Sequence, residues 1–149
     1  QNVREKRGLA YSVGSGVSSF RDAGVLSVYA GCANEKVGEV IRVIMAEIEL
    51  IVGAAIAPGE LQRAKDNVKG SLLLGLESTW NRAAYLARQE IYFERPYSVD
   101  DTIAGIERVS LDDVQRVSRA LLSTVPFAVA VLGDVDGLTI DPEQLLIRA

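Results

Sequence analysis

Apolar and polar positions change period several times along the chain, and each change marks a new element. Residues Gln1 to Arg7 are charged and helix-compatible and end at Gly8, a residue able to supply the left-handed cap that closes a helix. From Leu9 the period becomes two. Leu9, Tyr11, Val13, Ser15 and Val17 fall on one face of the predicted strand, and Ala10, Ser12, Gly14, Gly16 and Ser18 on the other. The polar, glycine-containing segment Phe20 to Gly24 predicts a turn, and the apolar run Val25 to Cys32 a second strand, so the pair reads as an antiparallel hairpin.

After the hairpin the spacing becomes three and four. Asn34 is placed to cap a helix whose core face is Val37, Val40, Ile41, Ile44, Met45 and Ile48. Pro58 sits where a first helical turn begins, with Glu60 near the positive end of the dipole. Leu61, Ala64, Val68, Leu72 and Leu76 form the stripe of that helix, which is expected to end near Glu77. Ser78 can cap a third helix carrying Trp80, Ala84, Leu86 and Ile91 and stopping before Pro96. Two shorter helices follow, Val99 to Val109 and Leu111 to Ser123. The second is opened by Ser110 with Asp113 three residues on, an approximate capping box. Past Pro126, the unbroken apolar run Phe127 to Leu132 predicts a strand buried on both faces, and residues 136–149 read as an irregular tail with a short helix.

The order strand, strand, several helices, strand is the α+β pattern: an antiparallel or mixed sheet covered on one face by several helices within a single domain spanning residues 1–149. So few strands cover poorly the apolar stripes of so many helices, which predicts further strands and a helix preceding Gln1 and self-association of the chain through the uncovered surface. A hydrophobic fraction of 48% and a charged fraction of 24% over 149 residues fit a folded domain rather than a disordered one. No apolar run reaches the ~20 residues of a membrane span. A net charge of −4, with Lys and Arg scattered, offers no footprint for nucleic acid.

Histidine decides most of the chemistry, because there is none. Its absence removes a His general base, Ser/His and Cys/His nucleophile pairs, and every metal site that needs imidazole. The single cysteine, Cys32, cannot form an internal disulfide and points to a reducing compartment, here taken as the cytoplasm; in an apolar strand it reads as a buried thiol. Gly14-Ser15-Gly16 resembles part of a phosphate loop but lies inside an alternating strand and lacks the following Gly-Lys-Ser/Thr. Asp112 and Asp113 are explained by the dipole of the helix they open. Trp80, Tyr85, Tyr92 and Phe93 share one helix and are expected in core or inter-domain contacts rather than as a platform for bases.

The segment Val3-Arg4-Glu5-Lys6-Arg7-Gly8-Leu9-Ala10-Tyr11-Ser12-Val13 closely resembles a helix-to-strand junction in the C-terminal homologous domain of the pitrilysin, insulinase and mitochondrial processing peptidase family. Asp22-Ala23-Gly24, Glu60 to Lys65, Leu76-Glu77-Ser78 and Ile106 to Val114 resemble the same family in the same order, so the likeness covers almost all of the chain apart from the tail. That resemblance implies one of two homologous α+β domains enclosing a chamber, with zinc held by an inverted His-x-x-Glu-His helix on the other half. No cofactor is implied for this chain itself; zinc belongs to the parent protein or a partner subunit, and the implied partners are a peptide substrate and the zinc-binding homologous domain.

In relatives this half contributes an Arg and a Tyr seven residues apart, and Arg4 and Tyr11 have that spacing. By the resemblance, their guanidinium and phenol donate hydrogen bonds to peptide carbonyls and to the oxyanion that develops during hydrolysis, acting neither as nucleophile nor as base. Without it, Arg4 is a solvated helix-end cation and Tyr11 a strand aromatic packed on a neighbour. Arg7 is too close to Tyr11 for the motif. Two functions follow: the substrate-clamping, chamber-closing domain of a zinc metalloendopeptidase, inactive alone, or a catalytically silent homologue used for assembly, as in respiratory complexes.

Overall fold

In the computed structural model, residues 1–53, 56–93, 97–124 and 126–147 are described. The chain is α+β and its contacts divide into two compact units, Gln1–Gly53 with Ser118–Ala149, and Ala54–Val117.

The first unit begins with a short helical turn, Asn2–Lys6, wound as a π-helix. Gly8 adopts φ of 59° and ends it, its N–H reaching the Arg4 carbonyl at 3.1 Å while the Leu9 N–H reaches Val3 at 2.9 Å. This is the left-handed closure expected at Gly8. Strand β1 (Ser12–Ser19) and strand β2 (Gly24–Gly31) pair antiparallel with Gly14 opposite Tyr29 and Ser12 opposite Gly31. The alternation therefore becomes a strand three residues later than Leu9, because Leu9 and Ala10 are buried beneath the junction with Val3, Val40 and Val43. Gly14 and Gly16 lie in the paired strand, so the phosphate-loop fragment is strand backbone.

Helix α1 (Val37–Val52) follows a 3₁₀ turn, Asn34–Lys36. Asn34 is not the cap expected of it: it lies inside that turn, whose N-cap is Ala33, and neither start has a side-chain cap bond. One face of α1 is as its spacing predicts. Val40 and Val43 join the cluster under the hairpin, against which Val13, Ala30 and Cys32 also pack. Met45, Ile48 and Val52 form a second cluster with Leu122 and Ile147. At roughly 2 kcal/mol for each large apolar side chain taken from water, these two clusters hold the unit together.

The run Phe127 to Leu132, expected as a doubly buried strand, is not one. The Phe127 N–H bonds to the Leu145 carbonyl at 2.9 Å, but the segment joins no sheet among the described residues, and Leu132 is fully exposed. An apolar run becomes a strand only where a neighbouring edge receives its backbone groups. The short helix expected in the tail is the 3₁₀ turn Pro142–Leu145, capped by the Asp141 carboxylate accepting from the Glu143 N–H at 2.9 Å.

The second unit is helical. Helix α2 (Pro58–Gly75) starts with Pro58 in its first turn, as expected, and α3 (Thr79–Phe93) follows Ser78, whose hydroxyl accepts weakly from the Asn81 N–H at 3.4 Å. The stop of α3 before Pro96 lies outside the described residues. Helix α4 (Val99–Arg108) is opened by a full capping box between Ser98 and Asp101. Helix α5 (Leu111–Leu122) runs from this unit into the first; its start is the Ser110–Asp113 box read from the sequence. There the Asp113 N–H donates to the Ser110 hydroxyl at 3.1 Å and the Ser110 N–H to the Asp113 carboxylate at 3.0 Å. Lys65 Nζ donates to the Glu107 carbonyl at 2.8 Å, and Lys69 pairs with Glu107 and with Asp66, tying α2 to the end of α4. The hydrogen bond that Lys69 donates to Glu107 chiefly, with that to Asp66, raises the Lys69 pKa.

Of the core and inter-domain contacts expected for the aromatic residues of α3, the core role does not hold for Trp80, Tyr92 and Phe93. Trp80 is 80% exposed and Tyr92 and Phe93 are also exposed; Phe93 meets Tyr97 edge to face at 5.5 Å. Tyr85 alone of the four is half-buried, sharing a 2.9 Å hydrogen bond with Thr102. The residue of α3 that is buried is polar, Gln89, which accepts from the Tyr97 N–H.

Candidate functional site

Arg4 and Tyr11 lie at the two ends of the junction between the opening helical turn and β1. Glycine closure at residue 8 turns the chain, and Val3, Leu9 and Ala10 anchor the junction in the core beneath it. Arg4 is exposed and enters no ion pair or side-chain hydrogen bond among the described residues. Its neighbour Arg7 differs: its Nε donates to Asn2 Oδ1 at 3.3 Å. The amide of Asn2 in turn donates to the Glu47 carboxylate on α1, so the turn that carries Arg4 is tethered by a side chain to the helix below.

Tyr11 is 78% exposed, and its hydroxyl has no hydrogen-bond partner among the described residues. Strict alternation would put it on the face of Leu9 and Val13, but its backbone prevents this. The Tyr11 N–H donates to the Gly31 carbonyl at 2.9 Å while Ser12 is the register partner of Gly31, so two residues of one strand oppose one of the other. This is the count of a β-bulge, which redirects the side chain it carries. The Tyr11 ring comes to lie against Gly31, on the hairpin face away from the core residues Val13 and Ala30. Tyr29 lies over Gly14 on that same face.

Tyr11 also lines a cavity of about 550 Å³ whose walls include Val28 and Cys32 near β2, Val40 and Ile44 of α1, and Val129 of the unpaired apolar run. Arg4 does not line it. The arrangement thus offers a phenol donor free to meet a ligand and a separate, unpaired guanidinium on the preceding turn. Both groups can stabilise carbonyl or anionic oxygen.

Histidine is absent from the sequence, and among the described residues no three Cys, Asp or Glu side chains gather into a metal-holding group. Asp112 and Asp113 open α5, the latter consumed by its cap, and Cys32 packs half-buried against the first core cluster. No helix among the described residues is long and apolar enough to cross a membrane. The signal missed in the sequence was Gly31, whose lack of a side chain admits the Tyr11 ring; only the register reveals it.

Comparison with known proteins gives a consistent result. Residues 1–68 match the peptidase M16 inactive domain. An uncharacterised zinc protease of Mycobacterium tuberculosis is 40% identical over 97% of this chain and 33% of its own length. The mitochondrial-processing peptidase subunit alpha-2 of Dictyostelium discoideum is 31% identical over 87% of this chain and 29% of its own length. This chain therefore spans about a third of the length of the curated relatives it matches. Among solved structures, a conserved protein from Enterococcus faecalis superposes with a TM-score of 0.68 at 26% identity, over 79% of this chain and 27% of that one. A chain of complex III from Candida albicans has the same fold at a TM-score of 0.73 and 20% identity, over 82% of this chain and 29% of that one.

Proposed function

This chain belongs to the peptidase M16 inactive-domain family, and from that premise we propose that it is the substrate-clamping, chamber-closing domain of a zinc metalloendopeptidase. In this reading it binds a peptide against a homologous zinc-binding domain or subunit, in a reducing, cytoplasmic setting, and cleaves nothing alone. The chain has no histidine to hold zinc, and in this reading zinc belongs to the other half.

The observation that carries the reading is the state of Tyr11: an aromatic at a strand start that is 78% exposed, with a hydroxyl free of protein partners, at the rim of a cavity. A tyrosine that only packed would bury its ring and satisfy its hydroxyl internally. Arg4, exposed and unpaired, supports the same role. The phenol donates to the oxygen on which charge develops during amide hydrolysis, and the guanidinium grips a peptide carbonyl in ground state and transition state alike.

The test uses the zinc-containing parent or the reconstituted pair of halves. Tyr11→Phe lowers kcat by roughly 10²-fold with a smaller change in KM, as for loss of one oxyanion donor. Arg4→Ala impairs both parameters. Arg7→Ala, which loses only an exposed bond to Asn2, stays close to the parent. An unchanged kcat in a folded Tyr11→Phe variant would refute the clamp role of Tyr11, and a zinc-free parent with no turnover at all would leave the catalytically silent, assembly role instead.

A further inference from the structure

The geometry points to Gly31 as the positioning residue for Tyr11, an inference that rests on the clamp reading above: the bare backbone at residue 31 is the seat on which the phenol is held. A Cβ built at Gly31 would lie 2.6 Å from Tyr11 Cζ and 2.7 Å from both its Cε2 and its hydroxyl oxygen. Real Cβ contacts are essentially never that short, so any side chain at residue 31 forces something to move. What moves is the far end of an exposed side chain, because each of those nearest atoms belongs to the Tyr11 ring.

Backbone and side chain act together here. The Gly31 carbonyl accepts the Tyr11 N–H at 2.9 Å, fixing the strand start, and the missing side chain lets the ring lie down on the same residue. An exposed tyrosine ordinarily loses rotamer freedom when it is held in one place. Seating it on glycine restricts it in the free enzyme, so less ordering remains when the peptide arrives. Gly31 has no positive φ, so its backbone conformation is open to other residues and the requirement for glycine here is the close approach.

Fold and function separate at residue 31. Gly31→Ala displaces an exposed ring and leaves the two core clusters untouched, so the unfolding midpoint stays near that of the parent while kcat falls between about tenfold and a hundredfold, the scale of a misplaced catalytic contact. In a Tyr11→Ala background the same alanine has no further effect, since no ring remains to displace. Gly14→Ala is the control. Its Cβ would lie 2.4 Å from the Tyr29 hydroxyl, a matched clash on the same sheet face that leaves Tyr11 alone, and kcat is unchanged.

Ring seating is read independently of turnover in the assembled enzyme by the Hα resonance of isotope-labelled Gly31. It is shifted upfield by the overlying ring and moves back in Tyr11→Ala. No such movement overturns the seating. Turnover that is unaffected by Gly31→Ala while Tyr11→Phe is impaired overturns the positioning role, as does an equal Gly31→Ala loss in the Tyr11→Ala background. If Tyr11→Phe is itself silent, the clamp reading falls and takes the catalytic part of this proposal with it, whatever the resonance shows.

Discussion

The side-chain amide of Asn2 donates to the carboxylate of Glu47, joining the turn that carries Arg4 to the middle of α1 across 45 residues of sequence. Val3 beside it is buried, so the turn is held by one apolar anchor and one polar tether. Glu47→Ala is expected to destabilise the fold by about 1.5–3 kcal/mol, the usual range for a hydrogen bond to a charged group. Glu47→Gln, which keeps an acceptor oxygen, should lose less than half of that. In a double-mutant cycle with Asn2→Ala, followed by urea unfolding, the two losses are less than additive. Strict additivity would show that the pair does not interact.

The start of α5 contributes a pH-dependent increment of stability. Hydrogen bonds from the Ser110 hydroxyl and then the Ser110 N–H, with Arg116 behind them, hold the Asp113 carboxyl below its ordinary range. A carboxylate with a depressed folded-state pKa contributes stability above its unfolded value, near pH 4, and loses it as pH falls through the folded value. Unfolding midpoints of Ser110→Ala and of the parent should therefore differ most at pH 6 and by less below pH 4, where only the cap bond from the Asp113 N–H to the Ser110 hydroxyl is left to lose. A difference that persists undiminished at pH 2 contradicts this account. The same sign applies to Asp66, lowered chiefly by its hydrogen bond with Lys69.

Strand β2 has one side open among the described residues. Phe20 donates to Ala23 to close the hairpin, so by alternation the even-numbered residues Leu26, Val28 and Ala30 turn their N–H and C=O groups away from β1. Val25, Leu26 and Val28 are exposed along it. An eight-residue edge of this kind pairs with another chain unless blocked. The isolated chain should sediment as a concentration-dependent dimer or larger species at micromolar levels, and Leu26→Lys should return it to a monomer. A stable monomer before substitution would refute the expectation.

What the sequence determined by itself is what depends on neighbours along the chain. Pro58 in a first turn, the Ser110–Asp113 box and the closure at Gly8 each need only residues within about four positions, and the apolar stripe of α1 is set by helical period alone. The α+β class follows from those elements, and the spacing of Arg4 and Tyr11 was legible in the same local way. The tertiary structure decided everything that needs a partner from elsewhere. Whether Phe127 to Leu132 is a strand depends on an edge to receive it, and whether Trp80 is buried depends on a surface to cover it; neither partner is encoded in those segments. The direction of Tyr11 is the clearest case. Period two assigns it to the face of Val13, but a two-against-one register at Gly31, set by pairing across twenty residues, turns it outward onto a glycine that carries no signal until the strands are joined.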